Sequence, residues 1–209
     1  MSAGERRPAG PRAGLRAELR RLRRAIPAAE RIAAAERLAE RLLALPMLPE
    51  AGDVAGYWAM DGEIALHAFQ LRLPRGLRWC LPVLSDDGLR FAPWRPGEPL
   101  APNRFGIPEP AVGADALIEP GRMALVVVPL VGFDARGRRL GMGGGWYDRA
   151  FAYRNGAAGD AGAAARRPPW LVGVGFAAQQ VEALDAEPWD VALDAAVTER
   201  DTFLFDHAS

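Results

Sequence analysis

Five residues constrain this chain most: Leu125-Val126-Val127-Val128-Pro129, apolar at every position. A strand with no polar residue on either face must be covered on both, the condition of a central strand in a parallel sheet. Such a sheet needs crossover connections and helices, so the run points to an α/β architecture. The rest of the chain supplies the parts. Leu15, Leu19, Leu22 and Ile26 recur at helical spacing and predict a helix over Arg12–Ala25. Pro27 suits the first turn of a second helix, which carries Ile32, Leu38, Leu42 and Leu43 and stops before Pro46. Strands are predicted at Asp53–Trp58, Trp79–Leu84, Leu89–Phe91, Leu171–Phe176 and Ala195–Thr198, and helices at Ile64–Leu71, Tyr147–Arg154 and Ala177–Leu184. Six prolines between Pro93 and Pro110 exclude regular helix or central strand there, so this stretch reads as an ordered loop packed on the body through Trp94 and Phe105. Asn155–Pro169, rich in Gly and Ala, reads as a mobile surface loop. The expected fold is a single three-layer α/β/α domain over 12–209 with a mostly parallel sheet, after a disordered lead at 1–11.

Length and charge narrow the function. A chain of 209 residues, half of them hydrophobic, suits one sizeable core. Net charge is zero, so no global field draws it to nucleic acid or to a membrane surface. The balance is uneven: residues 1–45 hold 11 Arg against 5 Glu, a local excess of +6. Apart from two histidines every basic residue is Arg, because the chain contains no Lys. The single cysteine, Cys80, lies in an apolar run and reads as a buried structural thiol. No signal peptide and no membrane-length apolar run is seen, so the cytoplasm is the expected compartment. Small-molecule partners are expected, with neither nucleic acid nor membrane, and a monomer is the expected state.

The segment from Gly132 to Arg149 follows the apolar strand and precedes a helix. Gly141, Gly143, Gly144 and Gly145 let the backbone take positive φ and approach a ligand closely. A loop entering a helix N-terminus presents free N–H groups to a phosphate, and Arg138 and Arg139 add charge. Neither G-x-x-x-x-G-K-[ST] nor G-x-G-x-x-G is present. Glycine clustering alone fits a bare tight turn as well as a ligand cradle. Asp134, Arg139, Trp146, Tyr147 and Asp148 shift the balance toward a site, since two adjacent aromatics beside a phosphate cradle suit a planar ring.

Gly132–Arg149 resembles the signature of the 5-formyltetrahydrofolate cyclo-ligase family, G-F-D-x-x-G-x-R-L-G-x-G-x-G-Y-Y-D, with Trp146 where Tyr is usual. Asn103–Pro110 resembles the family's F-G-I-P-E-P turn, and Tyr57–Glu63 its folate-contacting segment. Val172–Phe176 with Gln179, Asp190, Asp194, Thr198 and Glu199 resembles its C-terminal block. The resemblance spans Arg12–Glu199 and implies an architecture similar to the sugar-phosphate isomerase and CoA-transferase folds. It implies conversion of 5-formyltetrahydrofolate to 5,10-methenyltetrahydrofolate with Mg²⁺ and ATP, releasing ADP and phosphate. Such chemistry needs positioning and charge neutralisation more than a protein nucleophile.

By the same resemblance, Arg139, Leu140, Gly141, Met142, Gly143, Gly144, Gly145, Trp146 and Tyr147 cradle ATP, and Arg139, Gly143, Gly144, Gly145 and Tyr147 carry the catalysis. Arg12 and Arg16, four apart on one helical face, match the family's basic pair and join the ATP site. The other reading of the arginine run is a solvated helix face. Asp148 and Asp190 are the expected Mg²⁺ ligands, with Asp134 either an alternative or a turn-capping residue. Folate contacts are expected from Trp58, Met60, Glu63, Phe105, Met142, Trp146 and Tyr147; taken singly, Trp58 and Phe105 read rather as core aromatics. The rival readings are a divergent α/β enzyme acting on another phosphorylated small molecule and a non-catalytic nucleotide-binding module.

Overall fold

The computed structural model describes residues 11–155 and 167–206. Most of the expected lead and of the expected mobile loop therefore lies outside the described residues. The elements run α1 (Pro11–Ala25), α2 (Ala28–Leu43), β1 (Gly52–Ala55), α3 (His67–Leu71), β2 (Leu77–Ser85) and β3 (Gly88–Pro93). They continue through β4 (Leu100–Pro102), β5 (Pro108–Pro110), β6 (Leu125–Pro129), β7 (Gly132–Phe133), β8 (Arg139–Leu140), α4 (Trp146–Ala150), β9 (Trp170–Val174), β10 (Ala195–Val197) and β11 (Thr202–Leu204).

Seven strands form the central sheet in the order β11-β10-β9-β6-β1-β2-β3. β10, β9, β6, β1 and β2 are parallel, and the edge strands β11 and β3 pair antiparallel. The apolar run forms β6 at the centre of this sheet, buried as anticipated. Leu125 and Val127 face one side, with α2, α3, Val172 and Val174, where Leu38, Leu42 and Phe69 complete the layer. Val126 and Val128 face the other, with Phe133, Phe151, Leu171 and Leu193. Cys80 is buried, and burial pushes its thiol up to about 12, which removes it as a nucleophile.

Several elements differ from expectation. The segment 93–110 is not a plain loop: β4 and β5 pair as an antiparallel ribbon, Pro102 opposite Pro108 and Leu100 opposite Pro110. Proline is tolerated because this ribbon is two-stranded and every strand is an edge. Ala177–Leu184 is not a helix but a 3-10 turn at Ala177–Gln179. Gln179 accepts the Phe176 N–H with Oε1 and donates Nε2 to the Leu130 and Val131 carbonyls, and Val181 N–H then pairs with Phe133 O, pulling the chain out of a helical path. The helix expected over Tyr147–Arg154 is α4 followed by a 3-10 turn at Ala152–Asn155. β1 and α3 are shorter than predicted, because residues 56–66 form a connection that lines the site. Among the described residues no helix is long and apolar enough to cross a membrane.

Candidate active site

β1 and β6 are neighbours, yet the chain leaves β1 toward β2 on one side and β6 toward β9 on the other. At such a switch point the connections diverge and open a crevice beyond the strand C-termini. A cleft of about 570 Å³ lies there. Tyr57, Trp58, Met60 and Glu63 line it from the connection after β1, and Pro129 and Leu130 from the end of β6. Arg139 and the stretch from Gly141 to Asp148 form another wall, Arg12 and Arg16 of α1 a third, and Phe105 and Ile107 of the β4–β5 ribbon a fourth. A smaller lobe of about 340 Å³ continues past Gly143, Gly144 and Gly145 to Arg149 and Trp189.

The glycine loop is built on the short β7–β8 hairpin. Its turn is held by Asp134, wholly buried, which accepts the N–H groups of Arg136 (2.9 Å), Arg138 (3.1 Å) and Leu184 (3.0 Å). Asp134 is therefore the turn-organising residue and not a metal ligand. Arg138 donates Nη1 to the Leu184 carbonyl at 2.7 Å and does not line the cleft, so the phosphate role expected of it is withdrawn. Leu140 does not line the cleft either. Its side chain is buried with Leu19, Val131 and Leu184, and it fastens the loop beneath α1. Gly143 (φ 97°) and Gly145 (φ 63°) sit in the left-handed region, where a side chain is strained. A Cβ on Gly144 would approach Trp146 Cδ1 to 2.8 Å. The glycine at 144 and the indole at 146, the latter in place of the family's usual Tyr, thus fit each other.

Charge converges on this loop. Arg139 is buried, donates Nη2 to Asp148 Oδ1 at 2.5 Å and bonds the Val191 carbonyl through Nη1. Arg16 Nε donates to the Gly141 carbonyl at 2.8 Å, and Arg12 Nη2 to Asp190 Oδ2 at 2.8 Å. The two arginines share one face of α1, as their spacing requires, and both reach the cleft. Burial and the neighbouring Arg12 lower the Arg16 pKa, so an anion placed here relieves a repulsion.

Asp148 and Asp190 both line the cleft. The bonds they accept fall on Oδ1 of Asp148 and Oδ2 of Asp190. Among the described residues no group of three or more His, Cys, Asp or Glu could hold a metal. Two carboxylates, each with a second oxygen outside those bonds, fit Mg²⁺, which binds through one or two carboxylates and completes its shell with water and substrate phosphate.

The opposite wall is aromatic. Phe105 meets Trp146 edge-on at 6.3 Å, and Trp58 meets Trp94 at 5.9 Å. Phe105 is 58 % exposed and Trp58 37 %, so neither is a core residue. Phe105 is held out by the ribbon tip: Asn103 Oδ1 accepts the N–H groups of Phe105 and Ile107, and Glu109 Oε1 accepts Asn103 Nδ2 at 2.6 Å. Glu63 is largely buried, and its Oε2 accepts the Met60 N–H at 2.9 Å. Burial pushes the Glu63 carboxyl up, against the Met60 N–H and Arg23, which pull it down. Burial, then Glu63, raises the phenols of Tyr57 and Tyr147, so both stay neutral donors.

Sequence reasoning missed Asp61 and its partners. Asp61 Oδ2 accepts Arg20 Nε (2.8 Å) and Arg23 Nη2 (2.7 Å), and its Oδ1 accepts Arg24 Nε (2.5 Å). Burial alone would raise this carboxyl, but hydrogen bonds from Arg20, Arg24 and Arg23 hold it well below the usual carboxylate range. Arg23 is fully buried, so the solvated-face reading fails for it. The available signal was the Asp61-Gly62 dipeptide, a turn-forming pair downstream of an arginine-rich helix, which the structure places at φ 53° and 77°.

Comparison with known proteins identifies the family. Residues 9–199 match the model of the 5-formyltetrahydrofolate cyclo-ligase family. The chain is 33 % identical over 184 residues to 5-formyltetrahydrofolate cyclo-ligase of Haemophilus influenzae, covering 86 % of this chain and 92 % of the relative. It is 34 % identical over 188 residues to the Escherichia coli K12 enzyme of the same name, covering 86 % and 96 %. The NMR structure of Aquifex aeolicus 5,10-methenyltetrahydrofolate synthetase superposes with a TM-score of 0.76 at 28 % identity, covering 95 % of each chain. The chain belongs to the 5-formyltetrahydrofolate cyclo-ligase family.

Proposed function

We propose that this protein converts 5-formyltetrahydrofolate to 5,10-methenyltetrahydrofolate, using ATP and Mg²⁺ and releasing ADP and phosphate. One observation carries the reading: a single cleft joins an aromatic wall with a buried carboxylate, Glu63, to a glycine loop surrounded by Arg12, Arg16 and Arg139. The first half suits a planar, amine-bearing ring, and the second suits a polyphosphate. The formyl oxygen is a poor leaving group. Transfer of the terminal phosphoryl group of ATP to that oxygen converts it to a phosphate ester; attack by the neighbouring folate nitrogen closes the five-membered ring, and phosphate departs.

The chain's own residues position and neutralise. Arg139, with the backbone N–H groups of 143–145, grips the phosphoryl oxygens, Arg12 and Arg16 close over them from α1, and Tyr147 donates a neutral hydroxyl between the two halves. Trp58, Met60, Phe105, Met142 and Trp146 bound the folate and exclude water. Asp148 and Asp190 would hold Mg²⁺, which neutralises charge on the transferring group. The test is the appearance of methenyl-folate absorbance on mixing purified protein with 5-formyltetrahydrofolate, ATP and Mg²⁺. Omission of either ATP or Mg²⁺ abolishes it, and a folded protein that forms no product at high concentration refutes the proposal.

A further inference from the structure

Arg23 is wholly buried, and its guanidinium spans the switch point. Nε donates to the Asp61 carbonyl at 2.9 Å and Nη2 to Asp61 Oδ2 at 2.7 Å, both on the connection after β1. Nη1 donates to the Leu130 carbonyl at 3.3 Å, on the connection after β6. The same Nη1 lies 3.8 Å from Glu63 Oε1. Arg23 does not line the cleft, while Glu63 does. Burying a guanidinium is costly and calls for a reason. Asp61 has Arg20 and Arg24 as well, and the Leu130 carbonyl also accepts Gln179 Nε2 at 3.0 Å. Neither the Asp61 carboxylate nor the Leu130 carbonyl needs Arg23 for satisfaction. What Arg23 adds is one rigid fork that ties both connections together, with its charge beside Glu63.

We infer that Arg23 is a positioning residue for the folate. Across the switch point it holds the Glu63 carboxylate where that group accepts paired N–H donors of an amino-oxo-pyrimidine ring, and it does not touch the ring itself. The inference rests on the proposed function. The charge balance around Glu63 supports it. Burial raises the Glu63 carboxyl; the Met60 N–H, Arg23 and Arg20 lower it, and Asp61 raises it. Tyr57 and Tyr147 also face it, both neutral. Removing Arg23 takes away a lowering influence, so Glu63 protonates at higher pH. A protonated carboxyl has a hydroxyl in place of one acceptor, and the acid side of folate binding suffers.

The test is steady-state kinetics with 5-formyltetrahydrofolate and ATP varied in turn across the acid and neutral range. The variants are Arg23→Met, Arg23→Lys, Glu63→Gln and the double Arg23→Met/Glu63→Gln. Arg23→Met is expected to raise the folate KM about 10- to 100-fold, the range for losing a charge-assisted contact. It leaves kcat and the ATP KM near wild type and moves the acid limb of kcat/KM for folate to higher pH. Arg23→Lys, whose single ammonium cannot bridge both connections, gives a smaller shift in the same direction. In the Glu63→Gln background Arg23→Met adds nothing, because the two act as a unit. A rise in both KM values alike, an acid limb that does not move, or additive effects in the double variant overturns the inference. If Arg23→Met does not fold, Arg23→Lys decides: no shift of the limb overturns it. A wild type that turns over folate while all Arg23 variants match it sinks the inference alone; a wild type that turns over nothing sinks the proposed function and this inference with it.

Discussion

Arg139 Nη2 donates to Asp148 Oδ1 across 2.5 Å, and the same oxygen accepts the Val191 N–H at 3.2 Å. One carboxylate thus anchors a buried cation, the base of α4 and the approach to Asp190. Asp148→Asn keeps the shape and loses the charge. We expect turnover to fall about 10- to 100-fold, as for loss of a charge-assisted bond, and more steeply at limiting Mg²⁺. Rates measured against Mg²⁺ concentration check this, and near-normal rates at limiting Mg²⁺ show that Asp148 holds no metal.

Arg12 and Arg16 reach the cleft from α1, whereas Arg37 of α2 is exposed to solvent. Arg12→Ala and Arg16→Ala are each expected to raise the ATP KM about 10- to 100-fold. Arg37→Ala is expected to change little, since isolated surface charges contribute little. Kinetics at fixed folate distinguish them. If Arg37→Ala is as damaged as the other two, the arginines act through general charge and not through a phosphate site.

Asp61 carries a pH signature. Its folded pKa lies below the ordinary 3.8, so the stability it contributes is present above that value and is lost as pH falls through its folded pKa. Asp61→Asn, which tolerates the left-handed backbone at 61, removes this contribution. The melting temperature of the variant is therefore expected to lie below wild type at neutral pH, and the gap is expected to narrow as the solution is acidified below about pH 4. Parallel melting curves at every pH contradict this account.

Asp194, wholly buried, accepts both Arg154 Nη2 (2.8 and 3.0 Å) and Arg167 Nε (2.8 Å) with the Leu171 N–H, tying the turn after α4 to β9 and β10. Removing one partner of such a pair strands a buried charge. Asp194→Ala is expected to cost about 3–5 kcal/mol of stability. Denaturant unfolding measures it, and a loss below about 1 kcal/mol, the range of an exposed pair, refutes the buried-triad reading.

The strand Leu125–Pro129 and the glycine loop were legible because their cause is local. An apolar run has to be covered on both faces, and positive-φ glycines at 143 and 145 mark a loop whatever surrounds it. Arg12 and Arg16 were legible as a pair because helical spacing alone puts them on one face. The resemblance of the Gly132–Asp148 motif carried the family further than any physical pattern could.

Tertiary structure decided the rest. No local rule says that Arg23 is buried while Arg24 beside it is about half exposed; both meet Asp61, but only Arg23 also meets Glu63 and, 107 residues away, the Leu130 carbonyl. Arg12 meets Asp190 across 178 residues. Ala177–Leu184 has a helical composition, but long-range bonds from Gln179 to the end of β6 and from Val181 to Phe133 outcompete it. Asp134 could equally have been a ligand or a turn residue until three backbone N–H groups claimed it. Hydrophobic periodicity fixes which residues turn inward, because burial acts on each residue by its own chemistry. Which charges meet depends on where the connections at the switch point bring distant segments, and that is a property of the assembled sheet.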